Sequence, residues 1–257
     1  MAAVYYLEFA KLFLVLIRVG SFFILNPVLG SQMIPTRVKL GMSLMTAIAI
    51  FSHVKGVTLG QMQHVIPFAL LVGREFMVGI FLGLIALSFF EGIRLAGQVF
   101  GIQMGFGIVN VMDPRSQEQI SIMSVFKYFM ATLVFLCING HHQLLLSIKT
   151  SFDIVPLGCG FTLQADLGSM FVSMIGRLFV IAVKISLPLM AALIVATFVL
   201  GILAKAVPKV QVFLMSFPLK IGLGLLMMSM FMKQLFVFFQ MIFEEINGAI
   251  LGLMRLM

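Results

Sequence analysis

The chain has 257 residues, 61% of them hydrophobic and only 10% charged, with a mean hydropathy of +1.16. Soluble domains carry roughly 45–50% apolar and about 25% charged residues, so a water-soluble globule, and with it most soluble enzymes, is excluded in favour of a polytopic membrane protein. Seventeen Lys and Arg oppose nine Asp and Glu, but the basic residues stand singly. That suits loop ends that set membrane orientation and gives no footprint for nucleic acid.

In chain order, apolar stretches cover residues 9–30, 40–54, 65–91, 95–112, 119–148, 168–204 and 210–240. The first is read as the start of a helix rather than a signal peptide, since Glu8 precedes any positive charge and no small-residue cleavage site follows. Turn formers separate the stretches: Asn26-Pro27, Pro35, Asp113-Pro114, Pro156-Leu157-Gly158 and Pro208. No alternating strand pattern is present, so the expected class is all-α, a set of polytopic helical hairpins.

These stretches are unusual for helices bathed in lipid. Arg18, Arg74, Glu75, Lys127, Arg177, Lys184 and Lys220 fall inside them. Each costs about 2.5–3.5 kcal/mol at a bilayer centre on insertion scales. Arg18 and Lys127 have two readings, snorkelling from a helix end or packing against protein. Seven such residues together favour helices covered by protein over much of their surface. The aromatics agree: no Trp, three Tyr and 27 Phe, without the usual interfacial belts. With helices near 12–30, 40–54, 72–91, 125–147, 176–204 and 212–235, the odd-numbered connections hold Arg37, Lys39, Arg94, Arg115, Lys205 and Lys209. The positive-inside rule then puts those connections in the cytoplasm and the N-terminus outside.

Nothing points to catalysis. No phosphate-binding Gly-Lys-Ser/Thr loop, His-Glu-x-x-His pair or Gly-x-Ser-x-Gly elbow is present. His141 and His142 are adjacent and diverge by about 100° on a helix, beside Asn139-Gly140 in what reads as a polar turn. Cys137 and Cys159 have no metal-ligand spacing, and no cofactor is expected. Gly79 and Gly83 repeat at spacing four, as do Gly97, Gly101 and Gly105, a pattern that allows close helix packing in membranes. The stretch Gln98–Met112 is apolar enough for membrane depth, yet each interior glycine costs about 1 kcal/mol relative to Ala in a helix. It fits either a mobile apolar loop that blocks a pore or a tight helix contact. The 21 methionines, four of them at 227, 228, 230 and 232, suit adaptable packing.

Taken in order, these features resemble a known family: the flagellar FliR branch of the type III export-apparatus T subunits. The residues that carry the resemblance begin with Arg18-Val19-Gly20, Pro27–Gly30, and Ile34-Pro35 with Arg37 and Lys39. Glu75 with Gly79 and Gly83, Gly97 to Gly107, Met112-Asp113-Pro114 and Asn139-Gly140-His141 follow, and Pro208 to Phe213 and Pro218-Leu219-Lys220 complete it. One departure is clear: Lys209 and Gln211 stand where similar proteins usually have Gln and Asn.

The resemblance implies an export gate required for flagellum assembly, in the bacterial inner membrane at the flagellar basal body. One copy completes a helical ring of FliP-like and FliQ-like subunits, largely lifted out of the bilayer plane, and works with FlhB-like and FlhA-like export proteins, proximal rod proteins and unfolded export substrates. Residues up to about 165 would be FliP-like and include a plug segment within 98–114, and residues from about 166 to 257 would form a FliQ-like hairpin. The plug itself would be Gln103, Met104, Gly105, Phe106, Gly107, Ile108, Val109, Asn110, Val111 and Met112. Arg18, Glu75, Glu91, Arg94, Asp113, Pro114, Pro208 and Lys220 are expected to be structural, Glu91 and Arg94 as an i,i+3 pair and Glu75 with a basic residue from another helix. The alternative is a small proton- or ion-coupled secondary transporter using Arg74, Glu75, Lys184 or Lys220, although no inverted repeat is detectable.

Overall fold

A computed structural model describes residues 2–31, 33–54, 65–106, 121–157, 167–206 and 212–256. Every regular element among them is an α-helix: α1 Ala2–Leu25, α2 Thr36–Phe51, α3 Val65–Met104, α4 Ile122–Cys137, α5 Gly140–Ile154, α6 Leu167–Ala206, α7 Val212–Met230 and α8 Met232–Leu256. Residues 1–88, 139–174 and 243–257 form one compact unit, and 89–138 with 175–242 form another. Three helices, α3, α6 and α8, each contribute residues to both units.

In the first unit, α1 buries Leu14, Val15, Val19, Phe22 and Phe23, the i, i+4 pattern of a helix with one face inward. Pro27 disfavours helical backbone at the residue before it, and α1 stops there. Buried Asn26 closes the turn: its Oδ1 accepts from the amides of Val28 at 3.0 Å and Leu29 at 2.9 Å. Lys39 Nζ then donates to the Gly30 carbonyl at 2.8 Å, tying the turn to α2.

The two stretches 65–91 and 95–112 are not separate elements, since α3 runs unbroken through Glu91 and Arg94. Its buried residues, Val78, Leu82, Ile85, Phe89, Ile93, Ala96 and Phe100, follow one another at steps of three or four residues, so a single face stays inward. Arg94 is therefore a helix-surface residue rather than a loop cation, which removes one residue from the orientation reading above. The stretch 119–148 is divided instead. Asn139 adopts φ 57°, a conformation that Asn tolerates better than most residues, and α4 and α5 meet there at 69°.

Among the described residues, three helices are long and apolar enough to cross a membrane, Ile66–Met104, Val172–Ala206 and Met232–Met254, and the bent pair α4–α5 makes a fourth if it counts as one span. At ~1.5 Å per residue, the 39 residues of Ile66–Met104 rise about 58 Å, nearly twice a ~30 Å hydrocarbon core. In Val172–Ala206 only 11% of the most apolar window is buried among the described residues, so most of it is left as exposed apolar surface. Within the helices, the hydroxyls of Thr46, Thr132, Thr150, Ser186 and Thr197 donate to carbonyls four residues back, which satisfies them without water.

The paired glycines sit where helices cross. A Cβ on Gly79 would collide with Ser21 and the Arg18 carbonyl of α1, and one on Gly83 would lie 2.7 Å from Leu25 Cβ. A Cβ on Gly97 would lie 2.5 Å from Ser124 Cα and 2.8 Å from the Met123 carbonyl, and one on Gly101 would collide with Ser121. Close backbone approach is what small residues permit. Gly97→Val is accordingly expected to cost about 1–3 kcal/mol by overpacking. Gly176→Ala, where a Cβ meets nothing within 4 Å, should hold or raise the melting temperature. Thermal unfolding in mild detergent separates the two.

Candidate functional site

The described part of the segment that attracts attention in the sequence is the end of α3. Glycines at 97 and 101 do not break the helix, because tight packing on the start of α4 offsets their weak propensity. Gly105 does. It adopts φ +96°, its amide donates to the Ile102 carbonyl at 3.0 Å, and the Phe106 amide donates to the Gly101 carbonyl at 3.1 Å. These are the paired bonds of a Schellman C-cap, with glycine in the left-handed position it alone occupies without strain. So residues 95–104 are helix, and the chain leaves it at Gly105. Met104 is fully buried, and Gln103 and Phe106 are half-buried. Gln103 borders an open groove of about 680 Å³, lined also by Ile194, Thr197, Phe198, Gly201, Ile202 and Lys205. The remaining plug residues, Gly107, Ile108, Val109, Asn110, Val111 and Met112, lie outside the described residues, as do Asp113, Pro114 and Pro208.

The charged residues separate into two kinds. In the first unit, Arg18 is completely buried and its Nε donates to Glu75 Oε2 at 2.6 Å. Nη1 donates to the carbonyls of Ser151 and Val155, each at 3.0 Å, where α5 ends, and the guanidinium lies 4.2 Å over the Phe152 ring. A fixed planar fork placed on carbonyls at a helix C-terminus is a role for Arg rather than Lys. Snorkelling is ruled out for this side chain. A transporter would need Glu75 open to substrate, and here it is buried against Arg18.

In the second unit, Lys127 is also buried, and its Nζ lies 4.6 Å from the Phe100 ring centre without a hydrogen-bond partner among the described residues. It too does not snorkel. By contrast, Arg177 and Lys184 are exposed on α6, and Arg74 and Lys220 are half-buried. Glu91 and Arg94 pair at 2.9 Å across one turn of α3, both partly exposed. Sequence reasoning missed the carbonyl partners of Arg18, the Lys127–Phe100 contact and the α7 residues that meet Met104 and Gly105. None leaves a signal at fixed spacing, because each joins segments far apart in the chain.

The profile of the family described as bacterial export proteins, family 1, matches residues 9–246. The flagellar biosynthetic protein FliR of Bacillus subtilis (strain 168) is 33% identical over 239 residues, 92% of this chain and 91% of that protein. The FliR of Escherichia coli (strain K12) is 28% identical over 90% of this chain and 87% of its own length, and that of Aquifex aeolicus (strain VF5) is 26% identical over 82% and 81%.

Proposed function

We propose that this chain, which belongs to the bacterial export proteins, family 1, and is a membrane-embedded component of the flagellar export apparatus, forms part of the channel through which unfolded flagellar subunits cross the bacterial inner membrane at the basal body. Residues 103–112 are its plug. The observation that carries this reading is the end of α3. A long apolar helix is stopped by a glycine C-cap at 105, and Phe106, Ile108, Val109, Val111 and Met112 follow at once. Apolar side chains at a constriction block ions by dewetting it, and non-helical backbone at membrane depth survives only inside protein or along an aqueous cavity.

The assembly reading has separate support. A helix of about twice the bilayer thickness calls for surrounding protein over the part that lipid cannot cover, and the exposed apolar surface of α6 is available for such contacts. FliP-like and FliQ-like subunits would supply it, the first part of this chain matching the former and its C-terminal hairpin the latter. FlhB-like and FlhA-like proteins, proximal rod proteins and export substrates would be further partners.

Deleting Gly105–Val109 tests the plug. Cells carrying the deletion in an assembled complex are expected to leak potassium several-fold faster than the parent. Membranes as tight as the parent's, with the complex intact by co-purification, would overturn the assignment. Co-purification with FliP-like and FliQ-like chains, read by native mass spectrometry, checks the assembly, and a stable monomer would contradict it.

A further inference from the structure

The residue that seals the end of α3 does so against α7. A Cβ on Gly105 would lie 2.8 Å from Phe217 Cδ1, so the left-handed turn rests directly on that ring. One residue earlier, the fully buried Met104 thioether fills the space beside Gly224: a Cβ there would lie 2.7 Å from Met104 Cε, 2.8 Å from its Cγ and 2.9 Å from its Sδ. Phe217 and Gly224 stand seven residues apart, two helical turns, and so fall on one face of α7. Pro218 follows Phe217 directly inside this helix. Its missing amide removes one backbone bond, which is where helices bend.

We propose that Phe217 and Gly224 are positioning residues that seat the root of the plug, Met104 and Gly105, and hold it closed. The inference rests on the plug reading above and adds its control: the α7 face holds the described root of the plug, Met104 and Gly105. Met104 is an unbranched side chain that can leave and re-enter such a seat without a fixed geometry. Gly224 is the socket because it alone leaves room for the thioether. Phe217 is the wall, placed at the point where α7 has lost a backbone bond.

The test uses the full chain in its native complex, with potassium efflux as readout and co-purification as the check on assembly. Phe217→Ala and Gly224→Ala are each expected to raise the leak several-fold, and to add nothing to the leak of the Gly105–Val109 deletion. If the deletion leaks while both substitutions stay tight, the seat is wrong and the plug stands. A leak that adds to the deletion's would also overturn the seat, since Phe217 would then act elsewhere. If the deletion itself is tight, the plug reading fails. Should the alanine variants not assemble, Met104→Cys with Gly224→Cys, in a chain carrying Cys137→Ser and Cys159→Ser, decides the matter. The reduced pair is expected to leak, oxidation to return the leak to the parent's level, and reductant to release it again. A leak indifferent to oxidation, or a pair that does not cross-link in the assembled complex, overturns the proposal.

Discussion

Arg18→Ala is expected to abolish accumulation of the chain in membranes, with the largest loss of any single substitution considered. The side chain is fully buried, and its removal takes the Arg18 cation from the Glu75 carboxylate, 3% exposed. It also strips the Ser151 and Val155 carbonyls of their donor at the end of α5. Breaking a buried ion pair by deleting one partner costs about 3–5 kcal/mol, out of a total that is rarely above about 15 kcal/mol. Glu75→Gln should cost less, because an amide oxygen still accepts from Nε and the guanidinium keeps its carbonyls. Arg18→Lys should resemble the alanine variant, since an ammonium cannot reach a carboxylate and two carbonyls as a planar fork does. Arg18→Ala with Glu75→Ala should be milder than Arg18→Ala alone, the coupling expected of contacting residues. Chain levels by immunoblot and recovery of the complex decide this. Parental levels for Arg18→Ala would mean that the pair is not formed in the membrane.

The sequence shows the class of this fold because composition is a global property, and so many apolar residues with no strand alternation leave little choice. Asn139-Gly140 reads as a polar turn because turn residues are local, yet a helix read over 125–147 runs through it, and the chain breaks there. The sequence does not show the unity of α3. Glu91 and Arg94 interrupt the apolar run like a loop, but they pair across one turn on a partly exposed face of a helix whose other face never leaves the interior. The same cause hides the last part of α8. Glu244 and Glu245 end the apolar stretch near 240, while Ile242, Phe243, Ile246, Ile250 and Leu253 continue a buried face through them. At the candidate site, Gly105 is visible as a residue unsuited to a helix interior, and it proves to be the C-cap. Gly97 and Gly101 look equally unsuited and are helical, because their neighbours on α4 come too close for any side chain. That closeness is a property of the packed state and of partners, Ser121 and Ser124, that lie well apart from these glycines in the chain. The pairing of Arg18 with Glu75, separated by 57 residues, is invisible for the same reason: the sequence shows two expensive charges but not that each neutralises the other.

Lys127 carries the opposite prediction, although it is a buried cation of the same unpromising kind. Arg18 has a carboxylate and two carbonyls, and Lys127 has the face of Phe100 alone, with its Nζ unbonded among the described residues. A desolvated cation–π contact contributes about 2 kcal/mol, while the effective penalty for burying an ion is several kcal/mol. The balance is unfavourable, and the side chain lies beside an apolar cavity of about 70 Å³ lined by Met130, Met228, Met232 and Phe239. Methionine is close to lysine in length and flexibility and matches those walls. Lys127→Met is therefore expected to stabilise the protein by about 1–4 kcal/mol, the range seen when buried charges give way to well-packed apolar groups. Thermal unfolding of the chain alone and of the assembled complex, both in mild detergent, measures this. A gain in both makes Lys127 a cost that the fold carries. A gain in the chain alone with a loss in the complex would mean that assembly brings an anionic group to Nζ, so that the charge serves the interface rather than the fold. A loss in both would sink the prediction, because the ammonium would then be stabilised within the chain by more than the aromatic ring.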